Sequence, residues 1–248
     1  MTRLGPRDMT ALTILAEMYG APMDVLARML GVTVDRAARV ARNWTEAQML
    51  AKQRVTPVPG RPWVFPTRAA VEALTGRATQ AWLPTPKMAA HTRAVLELRL
   101  ALVGLDLDRW ISERSLRAEV GPTKAGVARP HIHDGRFLTD AGQWWAVEVE
   151  LTPKNLGAAR KAMAAAVRAA QRAECESLVY YCRSDAVKAV TTDAAASLDL
   201  SSGPKVRLRD LDAELSSSPP RPGLRVIEGG ASDHEIPQVT DPNEGKAG

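Results

Sequence analysis

Residues 144–154 read WWAVEVELTPK, and the fold class turns on them. Apolar Trp145, Val147, Val149 and Leu151 alternate with Glu148 and Glu150. That is the period of a β-strand, whose successive side chains point to opposite faces. A strand this apolar belongs inside a sheet, and its two glutamates then share one face. Unpaired buried carboxylates are costly, and two neighbours also repel each other. A divalent cation would remove the conflict, and hard oxygen ligands point to Mg2+ or Mn2+. The alternative reading is an edge strand with solvated carboxylates.

Upstream, HIHDGRFLT (131–139) predicts a second strand, joined to the first by a turn at DAG (140–142). Paired strands lie about 4.8 Å apart, so this hairpin brings Asp134 beside Glu148 and Glu150. Lys154 follows Glu150 by four residues, and Glu113 lies in SERSLR. Carboxylates that hold a metal, the metal that acidifies a water, and a lysine that steadies nucleophile or phosphate form a phosphodiesterase set. The expected catalytic residues are therefore Asp134, Glu148, Glu150, Lys154 and Glu113, with the first three as metal ligands. His131 and His133 read as surface or packing histidines of the strand. Arg160, Lys161, Arg168 and Arg172 read as a solvated helix face.

Helices and strands alternate around this hairpin. HTRAVLELRLALVGL (91–105) is an amphipathic helix with Val95, Leu98, Leu102 and Leu105 on one stripe. ISERSLRAEV is extended or partly helical. Asn155 caps an alanine-rich helix, ESLVYYCR is a strand, SDAVKAVTTDAAASL a helix, and PKVRLRDL a last strand. This order predicts a mixed α/β domain over 91–213. Two prolines and weak periodicity place a linker at 79–90. From 214 the chain is rich in Ser, Pro and Gly, which predicts a disordered tail over 214–248.

Residues 1–78 have a different character. MTALTILAEM and PMDVLARML are short helices, the second ended by Gly31, and Thr33 caps a helix running to residue 50. Helix, tight turn, helix is the helix-turn-helix pattern. AKQRVTPV and WVFPT then form a hairpin around PGRP, which makes a winged helix, and TRAAVEALTG closes it. On the helix from Val34, the residues Ala37, Val40, Ala41 and Trp44 face the core. Arg36, Arg39, Arg42 and Asn43 face out, where arginine can pair with guanine and asparagine with adenine. Lys52, Arg54 and Arg61 lie in the wing, within reach of phosphates or the minor groove. Solvated surface charge, or a protein-docking module, would leave the same pattern.

The whole chain has 248 residues, 45% hydrophobic and 25% charged, with a net charge of +5. That is ordinary for a globular protein, and the excess positive charge is densest before residue 80, which favours a polyanionic partner. Cys175 and Cys182 have no metal-cage spacing and suit a reducing compartment. No signal-peptide shape and no membrane-length apolar run is present, so a cytoplasmic location is expected.

The helix from His91, then WISERSLR, HDGRF, AVEVELTPK and LVYYCR together resemble the replication-relaxation family of actinobacterial plasmids, integrative elements and phages. The resemblance covers about residues 8–212. It implies a winged helix followed by a domain of the PD-(D/E)xK nuclease type, acting on double-stranded DNA in replication or mobilisation. It also implies relaxase or replication proteins as partners, and a homodimer is among the expected assemblies. Asp134 matches the motif's aspartate and Glu148 its second acidic residue. Glu150 stands where the motif has lysine, and Lys154 would deliver the amine instead. Glu113 resembles the acidic residue supplied by a preceding helix. The resemblance leaves open a nuclease or nickase on one side and a non-catalytic DNA-binding accessory protein or regulator on the other.

Overall fold

A computed structural model describes residues 4–217, apart from 81, 123–125, 127, 128 and 202. Helices α1 (Pro6–Glu17), α2 (Met23–Leu30) and α3 (Val34–Glu46) open the chain, with strand β1 (Ala21–Pro22) between the first two. Gly31 closes α2 at φ 64°, a conformation that glycine adopts without a Cβ clash. Thr33 caps α3 as expected, its Oγ1 accepting from Arg36 N at 3.4 Å. The helix stops at Glu46, short of the expected residue 50. Gln48 turns the chain at φ 61°, and buried Leu50 bridges to Pro66.

The expected hairpin is abbreviated. Strand β2 (Trp63–Val64) pairs with β1, and isolated bridges join Val55 to Trp63 and Leu50 to Pro66. Pro57, Pro59, Pro62 and Pro66 lack the N–H a longer ladder needs. Helix α4 (Arg68–Thr75) follows, capped by Thr67. The expected linker is shorter than 79–90, because helix α5 (Pro86–Val103) starts inside it with a proline in its first turn, where the missing N–H costs nothing.

The segment ISERSLRAEV divides into β3 (Trp110–Ser112) and α6 (Glu113–Val120), with Ser112 Oγ capping the helix at Ser115 N. Next come β4 (Gly135–Leu138), β5 (Trp144–Glu150), α7 (Leu156–Arg172), β6 (Ser177–Cys182), α8 (Asp185–Ala196), β7 (Lys205–Asp210) and α9 (Leu211–Ser217). The sheet order is β3-β4-β5-β6-β7, antiparallel through β5 and parallel from β5 to β7. This is a mixed α/β protein. His131 to Asp134 precede β4 rather than forming part of it. The first four residues of the expected tail, 214–217, belong to α9, which buried Leu211 and partly buried Leu215 hold against the core. The remainder of that tail lies outside the described residues.

Both sheet faces are covered. Val147, Val149, Val179 and Tyr181 belong to a core that also takes residues of α5 and α9 and continues into α1, α2 and α3. Ala146, Leu178, Tyr180 and Cys182 pack with Met163, Ala166 and Ala170 of α7 and Val187 of α8. Arg93 of α5 donates to Asp24 of α2 at 2.6 Å, and Arg28 pairs with Glu97, so ion pairs flank the apolar contact between α2 and α5. No described helix is long and apolar enough to cross a membrane.

Candidate functional site

Glu148 and Glu150 share the sheet face that meets α7 and α8, being paired with Tyr180 and Cys182 of β6. Each has its own cationic or proton-donating partner. Glu148 is buried, and its Oε1 accepts from His131 Nε2 at 2.7 Å and His133 Nδ1 at 2.9 Å. Burial works against its charge, but the two imidazoles outweigh burial and hold its carboxyl down at about 2. His131 is correspondingly raised, since the hydrogen bond and charge of Glu148 overcome desolvation. Glu150 ion-pairs with Lys154, the i,i+4 partner just past the strand. Burial and the charges of Glu148 and Asp134 nonetheless push Glu150 upward.

Asp134 reaches the same end of β5. Its backbone N–H donates to Val147 O at 3.1 Å, and its Oδ2 accepts from Val149 N at 2.7 Å. The carboxylate thus replaces a ladder acceptor where β4 has not yet begun. Its Oδ1 takes a 2.9 Å hydrogen bond from His91 Nε2 on α5. Burial raises Asp134, with Glu148 adding repulsion, and it pulls His91 upward against desolvation. Glu113 pairs with Arg117 on α6. It lines a small cavity with Glu17, Tyr19, His91 and Asp134.

These partners decide how a metal would fit. Among the described residues, the group of three potential ligands lying within 4.8 Å of one another is His131, His133 and Glu148. Two imidazoles and one carboxylate suit borderline transition ions, whereas Mg2+ wants about six oxygens at roughly 2.1 Å. Asp134 and Glu150 direct their carboxylates to His91 and Lys154 instead. The three converging donors could hold a metal ion.

The N-terminal unit presents a different surface. Ala37, Ala41 and Trp44 of α3 are buried and Val40 is half-buried, while Arg36, Arg39, Arg42 and Asn43 are all exposed. Among the described residues, none of these four side chains makes an ion pair or side-chain hydrogen bond. Lys52 and Arg61 are exposed as well. Arg54 is not. It folds back, donating to Thr45 Oγ1 at 2.8 Å and to the Ala51 and Gln53 carbonyls, so it braces the turn after α3.

Sequence reasoning named the carboxylates and Lys154 but missed the histidine partners. His91 went unremarked as a helix residue. His-x-His beside a Glu-x-Glu strand was the available signal for His131 and His133, because alternate residues before a strand fall on one side. No known protein family, curated protein or solved structure matches the chain, so the family resemblance rests on the sequence motifs alone.

Proposed function

We propose that the chain is a DNA-binding protein whose N-terminal unit is a winged helix that lays α3 in the major groove of duplex DNA. The observation that carries this reading is the set of Arg36, Arg39, Arg42 and Asn43, exposed together on one helix face with no internal partner. Long basic side chains left without intramolecular partners are available to phosphates and base edges. Exposed Lys52 and Arg61 add backbone contacts from the wing. The resemblance to replication-relaxation proteins makes a mobile-element setting, with replication or mobilisation proteins as partners, part of the reading. A cytoplasmic location fits the two free buried cysteines. Fluorescence anisotropy with labelled duplexes tests it: binding should fall steeply with salt and weaken when Arg36 and Arg39 become alanine. Undiminished binding by that variant would refute it.

A second reading, metal-dependent phosphodiester cleavage by a nuclease-type α/β domain, is favoured by the three carboxylates and three histidines gathered at one end of β5. His131, His133 and Glu148 would hold a Mn2+ or Zn2+ ion, which when bound acidifies water. Asp134 and His91 would hold a proton beside it, and Lys154 would steady a phosphate. Supercoiled plasmid incubated with Mn2+, Mg2+ or Zn2+ tests this. Plasmid left intact with every ion, or nicking that persists in Asp134→Ala, leaves the non-catalytic DNA-binding reading standing.

A further inference from the structure

A cleft of about 810 Å3 is lined on one side by Tyr19 and the segment after α4, and on the other by α6, Gly121, Pro122 and Arg129. Among the described residues, its charged lining is Arg77, Arg114, Arg117 and Arg129, with no carboxylate. Four donor atoms of residues that line it are shielded from solvent and have no hydrogen-bond acceptor: Arg77 Nη1, Arg114 Nε, Arg114 Nη1 and Trp82 Nε1. The Arg114 guanidinium stacks over Tyr19 at 4.2 Å from the ring centroid, and Tyr19 packs against Trp82 at 5.3 Å. Desolvation lowers Arg114, which an anionic ligand would reverse.

Buried N–H groups are nearly always paired in folded proteins, because an unpaired one forfeits its bond to water. Guanidinium and indole groups beside one cavity, with donors left over, favour an acceptor there, and a charged one suits two guanidinium forks best. Arg77 and Arg117 are partly neutralised by Glu17 and Glu113, but among the described residues Arg114 and Arg129 have no ion-pair partner. The volume far exceeds a single phosphate ion, and the aromatic wall offers a surface on which bases stack.

We infer that this cleft is an oxyanion site that takes the phosphate of a nucleic-acid strand, with Arg77 and Arg114 gripping the phosphate and Trp82 beside it for an adjacent base. Tyr19 also lines the smaller cavity with His91, Glu113 and Asp134. The strand as the source of the phosphate rests on the DNA-binding reading, whereas the oxyanion site itself does not.

The test uses the full chain in two arms. Calorimetry follows sodium phosphate against sodium chloride at matched ionic strength. Anisotropy follows a labelled single-stranded oligonucleotide of about 12 nucleotides, within the span such grooves cover. Arg77→Ala with Arg114→Ala should weaken oligonucleotide binding about ten- to a hundredfold. The milder Arg77→Lys with Arg114→Lys and the single Trp82→Phe guard against a fold defect, and each should weaken binding in part. Arg36→Ala with Arg39→Ala, run in parallel, reports on α3 separately. Phosphate binding by the wild type without oligonucleotide binding keeps the oxyanion site and assigns it to free phosphate. Oligonucleotide affinity equal in wild type and all cleft variants, together with no phosphate heat, overturns the inference whatever α3 does.

Discussion

Helix α3 and strand β5 both carry closely spaced charges, and their treatment is opposite. On α3 the arginines at positions 36, 39 and 42 stand in solvent, without an ion-pair partner among the described residues. On β5 and the residues beside it, Glu148, Glu150 and Asp134 are drawn inward, and each is met by a histidine or lysine. Burial is the difference. In water an exposed guanidinium needs no partner and remains free for another molecule, while a buried carboxylate must be compensated where it sits. Exposed and unpaired charge therefore stays available to another molecule, and buried and paired charge is compensated within the fold.

The strongest way to break that contrast is Glu148→Ala. Removing the acceptor strands His131 and His133 in a dry environment, and loss of one member of a buried pair costs about 3–5 kcal/mol. Urea denaturation measures it, and a loss below about 1 kcal/mol would make the cluster as dispensable as a surface pair. Alanine at Arg36 and Arg39 should do the reverse. Duplex affinity should drop by about 1–3 kcal/mol for each arginine that reads a base edge, while stability moves by no more than about 0.5 kcal/mol. An unfolded double variant would show that these side chains serve the fold after all.

Gly135→Ala sharpens the role of the sheet beneath the site. An added Cβ would stand 2.8 Å from Trp110 Cε2, and closer still to Cζ2, in the ring that covers this glycine. Overpacking of this kind costs about 1–3 kcal/mol and should appear as a lowered melting temperature, with the start of β4 and Asp134 displaced together. The smallest effect belongs to Asn155→Ala, which removes the 2.8 Å cap on Ala158 N at the start of α7. It should cost about 1 kcal/mol and leave any duplex affinity unchanged.

Much of this organisation was legible in residue order. Alternation identified β5 and its shared glutamate face, the Thr33 and Asn155 caps located two helix starts, and period 3.6 separated the buried from the exposed side of α3. Boundaries failed where tertiary packing competed with local preference. Proline-rich pairing shortened the hairpin, α5 extended back through the expected linker, and Leu211 drew α9 out of the expected tail. Arg54 looked like a wing residue and folds back on Thr45, because sequence spacing does not reveal where a long side chain finds an acceptor.

Local chemistry alone determined which segments are strands or helices and which faces are apolar, since those follow from side-chain period and capping within a few residues. Which charges meet was decided only when the chain folded. His91, His131 and His133 reach two carboxylates from separate segments, and Arg77 and Arg114 line one cleft from different units. Such pairings depend on packing between segments far apart in sequence, and no short-range pattern encodes them.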